Sequence, residues 1–334
     1  MTTRQASRHS EETMTVAAVQ ATPTFLDLDA TVQQVITRTE EAATNGADLV
    51  VFPEAFVPGY PDWVWRTTPW SGPSSSLYER LVRNAVTVPG AATDEMADVA
   101  RRTGTNMVVG IDERDPDGST VYCSLLYIDA DGEIAGVHRK LMPTGGERLV
   151  WGQGDGSGLV TMDTAGGRVG GLICWENYMP LARAAMYAMG VEIWVAPTWD
   201  NSDVWVPTLR HIAKEGRCYV IGTNSVLRGS DVPVEFGAAD IYGGDDDWMS
   251  RGNTCIIDPH GNISAGPLSE ETGILYAEID RGDVARSRLQ FDACGHYARH
   301  DIFQLTVDAK PTPPVTMRGA VVEGSETDVA STDA

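Results

Sequence analysis

The stretch Arg168-Val-Gly-Gly-Leu-Ile-Cys174-Trp175-Glu176-Asn-Tyr-Met-Pro180 decides how this chain is read. Residues 169–173 are short, apolar and glycine-containing, the make-up of a buried strand, whereas residues 181–189 (Leu-Ala-Arg-Ala-Ala-Met-Tyr-Ala-Met) are rich in strong helix formers. A strand that gives way to a helix just beyond Cys174 puts that side chain at the carboxyl edge of a sheet. The first helical N–H groups there favour an anion. By residue type alone a free cysteine is more often an inert core residue than a nucleophile, so its surroundings must decide.

Working outward, the same alternation recurs on both sides. A strand over 15–20, a helix over 28–45 and a strand over 49–52 form a βαβ unit, because parallel strands need a crossover that packs on one sheet face. Helices over 77–86 and 93–103 lead to a strand over 106–110. Asp129-Ala-Asp-Gly132 between the apolar runs 121–128 and 133–138 is a hairpin signal, so antiparallel strands join the sheet. Beyond Cys174, a strand over 192–199, a helix over 207–216 and a strand over 219–225 repeat the βαβ pattern. A second hairpin turns at Pro259-His-Gly261 between 253–258 and 262–264, followed by a strand over 273–278, a helix over 283–289 and an ordered segment over 291–305. The class is α/β. Residues 59–76, with Trp63, Trp65 and Trp70, read as an ordered loop whose aromatics wall a pocket, cap the core or bury a subunit contact. The acidic run 240–248 reads as a solvated turn, since it lacks the spacing of a calcium loop.

Composition narrows the functions. With 334 residues and 42% hydrophobic content the chain can bury one large core. The expected organisation is a disordered lead over 1–13, a single domain over 14–310, and an acidic extension over 311–334 that is disordered from about 324. The net charge is −22, from 25 basic and 47 acidic residues, and only four of the acidic ones follow Arg318. A body of that sign repels phosphate backbones and anionic lipid, which argues against nucleic-acid and membrane partners. The five cysteines include no C-x-x-C pair and no Cys/His cluster at zinc spacing, so neither a disulfide framework nor a structural metal is expected. The lead lacks the apolar core of a secretory signal, and no apolar run approaches the ~20 residues of a membrane span. A cytoplasmic setting is the expectation.

Three strand ends carry chemistry: Glu54 after the second strand, Lys140 between a strand and a glycine-rich loop, and Cys174. A thiol attacking an electrophilic carbon needs a base, a donor for the charge that develops on the heteroatom, and an acid for the departing nitrogen. A carboxylate beside an ammonium can supply all three, and burial lifts a carboxylate toward neutral pKa.

Pro-Glu54-Ala-Phe-Val-Pro-Gly-Tyr60-Pro, His-Arg-Lys140-Leu-Met-Pro-Thr-Gly-Gly-Glu147-Arg-Leu-Val-Trp-Gly-Gln-Gly-Asp-Gly, Cys174-Trp175-Glu-Asn-Tyr-Met-Pro-Leu-Ala-Arg and Gly295-His-Tyr-Ala-Arg together resemble the nitrilase superfamily, and its nitrilase branch in particular. The likeness runs from about residue 14 to residue 305 and departs at His300, where proline is usual, and in the short tail. It implies an αββα sandwich of two mixed sheets flanked by helices, no cofactor, no metal, a small-molecule nitrile substrate and a homo-oligomer built on a dimer. On this mapping Glu54 is the general base, Lys140 stabilises the intermediate and Cys174 is the nucleophile. Glu147 positions Lys140 or assists proton transfer, and the Trp175 N–H receives developing negative charge. Tyr60, Trp63, Trp175 and Trp199 suggest aromatic pocket walls, with Tyr60, Trp175 and Trp199 binding substrate. The implied reaction takes a nitrile through a thioimidate and a thioester to carboxylic acid and ammonia. Alternatives are an amidase or carbamoylase on the same fold, a relative that yields amide, a Cys–His hydrolase and an inert scaffold. None of the six histidines sits in a papain-like pattern. The expected dimer contact uses Leu181, Ala184, Met186 and Met189 together with segment 291–305.

Overall fold

The structure is a computed structural model that describes residues 13–312 apart from 117, 237–240 and 243–246. Its strands build two mixed sheets. In the first, β1 (Thr13–Gln20), β2 (Leu49–Val51) and β3 (Asn106–Arg114) run parallel. β4 (Val121–Ile128) and β5 (Ile134–Arg139) extend it antiparallel beyond β3. In the second sheet β7 (Gly167–Gly171), β8 (Ile193–Val195) and β9 (Tyr219–Gly222) are the parallel trio, with β6 (Met162–Thr164) hairpinned onto β7. β11 (Trp248–Ile257) pairs antiparallel with β9 and carries β10 (Val226–Arg228) and β12 (Ile263–Ser269). β13 (Gly273–Asp280) returns to the first sheet and pairs along the whole of β1, from Thr13 opposite Asp280 to Gln20 opposite Gly273.

Period-two alternation sorts the apolar side chains into three layers. Val16, Ala18, Leu49, Val51, Val108 and Leu125 meet Val169, Ile193, Val195, Ile221 and Ile256 between the sheets. Their neighbours Ala17, Val19, Val50, Val109 and Leu126 face outward onto α1 (Leu28–Thr44) and α3 (Ala91–Thr103), which bury Val32, Val35, Met96 and Val99. Trp194, Val220 and Cys255 face the other way, onto α4 (Pro180–Ala188) and α5 (Trp205–Gly216). Strands buried on both faces explain why the sequence shows continuous apolar runs where the parallel trios lie. The result is the αββα sandwich, with two mixed sheets between helices.

Several elements differ from their sequence expectations. The loop over 59–76 contains a 3-10 turn, Asp62–Trp65, and α2 (Gly72–Asn84) starts inside it, its first turn capped by the Ser71 hydroxyl. Pro and Ser in that first turn read as loop, yet both suit a helix start. The strand expected over 192–199 is regular only in β8, although the chain stays paired past Pro197 through Thr198 N–H to Thr223 O at 2.9 Å. The last helix, α6 (Arg281–Arg288), is capped by Asp280. Met186, expected on a contact face, packs instead in the layer beneath the second sheet, while Leu181 is 69% exposed. The expectations for 1–12, for the end beyond 312 and for most of 240–248 lie outside the described residues. Among the described residues no helix is long and apolar enough to cross a membrane.

Candidate active site

Glu54 sits in a turn that folds back over β3. Beyond β2 the chain reaches Ala55, whose φ is +45°, and Val57 N–H returns to Gly110 O at 3.1 Å. A Cβ on Gly110 would lie 2.0 Å from Pro53 O and 2.9 Å from the Glu54 Cα, so the turn can approach only because β3 carries glycine there.

Lys140 leaves the end of β5 with its N–H on Cys123 O at 2.8 Å. Its wholly buried Nζ is 2.7 Å from Glu54 Oε1 and 2.7 Å from Glu147 Oε2. Glu147 lies on the 3-10 turn Gly145–Leu149, where Oε2 also accepts the Thr144 N–H at 2.6 Å and Oε1 accepts the Tyr60 hydroxyl at 2.8 Å. Every oxygen of Glu147 is thereby used, whereas the buried Glu54 Oε2 has no hydrogen-bond partner among the described residues. That oxygen is an acceptor left available for a proton.

Cys174 opens the turn Cys174–Tyr178 with φ +51°, a conformation that costs an ordinary residue free energy and clusters at functional sites. Its N–H reaches Pro197 O at 2.8 Å, and its sulfur accepts the Thr198 hydroxyl at 3.1 Å. Asn177 holds the turn from below, donating to Leu172 O and Cys174 O and accepting from the Trp194 indole. The Trp175 N–H, the next along, finds no acceptor among the described residues, as befits the first turn of a helix.

Burial sets the proton inventory. It pushes Glu54 up; Lys140 pulls it back and Glu147 pushes it up again, leaving Glu54 at about 7. Burial works against the Lys140 charge, but Glu54, Cys174 and Glu147 more than offset it and hold Lys140 well above the usual lysine value. Burial, followed by the nearby Glu54 charge, drives Cys174 far above an ordinary thiol, with Lys140 opposing. At neutral pH the resting site therefore holds a thiol, an ammonium and a carboxylate poised to take a proton.

The aromatic residues divide. Tyr60 stacks on Trp199 at 4.4 Å and 5°, and Trp151 meets Tyr60 edge-on at 5.4 Å. Trp175 is half-exposed, its indole N–H on Asp200 and its ring edge-on to Tyr178. Trp63, expected as a wall, is wholly buried and packs edge-on to Phe25 in the inter-sheet core.

Further residues complete the cluster, and of these Trp65 was named from the sequence in the loop over 59–76. The Cys123 thiol donates to Glu54 Oε1 at 3.6 Å, and β4 alternation would have marked it as facing between the sheets. Trp65 rests on Gly145 and Gly146 and donates to the Tyr60 hydroxyl at 3.1 Å. The Trp151 ring lies 5.4 Å from Lys140 Nζ, and its indole N–H is held by the buried Asp112 at 2.6 Å. No local sequence signal marks the pairing of Trp151 with Asp112. Among the described residues no group of three or more His, Cys, Asp or Glu could hold a metal ion.

Two mixed sheets packed face to face, with a buried thiol, ammonium and carboxylates at their strand ends, describe an enzyme of the αββα sandwich class. The carbon-nitrogen hydrolase family model matches residues 15–289, and the chain belongs to that family, in the nitrilase branch of the superfamily. It is 44% identical to an aliphatic nitrilase of Sinorhizobium fredii, over 90% of this chain and 98% of that one. It is 40% identical to a bifunctional nitrilase/nitrile hydratase of Nicotiana tabacum, over 92% of this chain and 89% of that one. The crystal structure of a carbon-nitrogen hydrolase from Helicobacter pylori shares the fold with a TM-score of 0.70 at 22% identity, covering 88% of this chain and 98% of that one. The chain is thus a hydrolase of carbon–nitrogen bonds.

Proposed function

We propose that this enzyme hydrolyses a small organic nitrile to the carboxylic acid and ammonia, with Cys174 as nucleophile, Glu54 as general base, Lys140 as the stabiliser of the intermediate and Glu147 as its anchor. The observation that carries the reading is the Lys140 ammonium held at 2.7 Å by each of two buried carboxylates, beside a thiol that burial keeps protonated.

Glu54 takes the Cys174 proton as sulfur adds to the nitrile carbon, and that proton passes to nitrogen to give a thioimidate. Lys140 and the Trp175 N–H donate to the nitrogen as it gains charge. Water, deprotonated by Glu54, adds to the thioimidate carbon. The nitrogen is protonated and leaves as ammonia, which gives a thioester. A second water releases the acid and returns the proton to sulfur, so two waters are consumed for each nitrile. Among the described residues Glu147 accepts only from Lys140, Thr144 and Tyr60, which suits it to orienting Lys140 more than to shuttling protons. Tyr60 and Trp199 form an aromatic wall beside it, and Trp175 contributes its backbone N–H. None of these steps calls on a cofactor.

The tetrahedral carbon formed from the thioimidate carries both nitrogen and sulfur. If sulfur leaves first, amide results, and a barrier difference of ~1.4 kcal/mol shifts the product ratio tenfold. With Lys140 and both glutamates present we expect mainly acid. The test is a panel of aliphatic, dinitrile and aryl nitriles, scored for ammonia and separated by chromatography, with the matching amides alongside. Acid and ammonia from at least one nitrile class, faster than from its amide, is the expected result. Turnover of amides alone would assign the chain to the amidases, and amide as the main product from every nitrile would overturn acid-forming hydrolysis.

A further inference from the structure

Glu176 and His138 are buried to within 1%, and neither enters the steps above. Glu176 lies two residues after the nucleophile. Its Oε2 accepts the N–H of Ile173, the residue before Cys174, at 2.7 Å. Its Oε1 accepts the N–H of Leu141, the residue after Lys140, at 2.6 Å. One carboxylate thus ties the turn of the second sheet that carries Cys174 to the strand end of the first sheet that carries Lys140.

His138, on β5 two residues before Lys140, supplies the third bond to this carboxylate. Its Nε2 is 3.0 Å from Glu176 Oε2, and its Nδ1 is 2.9 Å from Gly158 O. A carbonyl and a carboxylate only accept, so a ring that satisfies both donates from both nitrogens and is an imidazolium. The Tyr127 hydroxyl on β4 also feels the Glu176 charge, and it has no partner among the described residues. Burial works against the His138 charge, but Glu176 and the Gly158 carbonyl outweigh it and hold His138 above the ordinary histidine value. A buried ion pair of this kind contributes little net stability and is better suited to fixing geometry.

We propose that Glu176 and His138 are positioning residues: Glu176 is a strut that sets the separation of the Cys174 turn from the Lys140 strand end, and His138 holds the strut in line. The proposal rests on Cys174 and Lys140 being the reacting pair. A misplacement of about 1 Å between reacting groups can cost about 10²-fold in rate. Loss of the strut should therefore lower kcat and leave substrate binding nearly intact.

The test compares Glu176→Gln, His138→Gln, His138→Ala and Cys174→Ala as full chains, with a nitrile that the native enzyme hydrolyses. Folded fraction is followed by thermal unfolding, and competent sites in the first three variants are counted by iodoacetamide labelling of Cys174. Glu176→Gln turns an amino group toward backbone N–H donors, so kcat per folded enzyme should fall about 10²-fold with KM within about twofold. His138→Gln keeps a donor toward Glu176 and should retain more kcat than His138→Ala. Full kcat in folded Glu176→Gln would overturn the proposal, as would equal kcat in the two His138 variants. If Glu176→Gln does not fold, the His138 pair decides alone. An active Cys174→Ala would instead remove the reading of the site on which the strut depends. An inactive Cys174→Ala beside a fully active Glu176→Gln would remove only the strut.

Discussion

At the scale of single residues, burial sets the proton affinities of the ionisable groups in the proposed site. Glu54 reaches about 7 because burial and Glu147 outweigh the pull of Lys140, so kcat/KM should rise through an acid limb near that pH as the base ionises. Cys123 offers a way to move that limb. Its thiol is a weak donor to Glu54 Oε1, and Cys123→Ser would put a stronger donor there, favouring the carboxylate and lowering its pKa. A donor gain of about 0.7 kcal/mol corresponds to a limb about half a unit lower, whereas Cys123→Ala should move it the other way. A pH profile of kcat/KM for the two variants checks both directions; an unmoved limb in both would mean that Cys123 does not touch the working base. Glu54, Lys140 and Cys174 could be picked from the sequence because each follows an apolar run, and resemblance pointed to Glu147. Cys123 and Asp112 could not, since their roles depend on neighbours that are distant along the chain, whereas Trp65 lies in the aromatic loop named from the sequence and bonds to Tyr60 in that same loop.

At the scale of elements, Glu54, Lys140 and Cys174 each sit just beyond the end of a strand. The parallel trios β1–β3 and β7–β9 were legible as apolar runs bounded by helices, and Asp129 to Gly132 was legible as a turn. The pairing of β13 with β1 was not, because nothing local in either strand names a partner so far along the chain. The start of α2 was hidden by Pro and Ser, which read equally as loop and as helix cap. The close approach at Gly110 is the element-level feature most open to test. Gly110→Ala would drive a Cβ into Pro53 O and displace the turn that carries Glu54. We expect a stability loss of about 1–3 kcal/mol with a larger proportional loss of kcat, read from thermal unfolding alongside steady-state rates. Full activity at native stability would show that the turn can move without moving the base.

At the scale of the whole molecule, the two sheets are the frame across which the proposed reacting groups meet: Glu54 and Lys140 come from the first, Cys174 from the second. The exposed apolar side chains Leu181, Tyr297, Ile302 and Phe303 lie on α4 and the segment after α6, which suits a two-fold contact between copies of the chain. Light scattering should return a mass of at least two chains, and Leu181→Glu combined with Phe303→Glu should lower it; a monomer mass for the native protein would remove this assembly. The central claim is that turnover passes through a covalent bond to the Cys174 sulfur. Its most direct measurement is an acid quench of the enzyme during steady-state hydrolysis of a nitrile, followed by peptide mapping by mass spectrometry. A thioimidate or thioester adduct is expected on the peptide containing Cys174, absent in Cys174→Ala, which should release no ammonia. An adduct on any other residue, or ammonia release by Cys174→Ala, would contradict it.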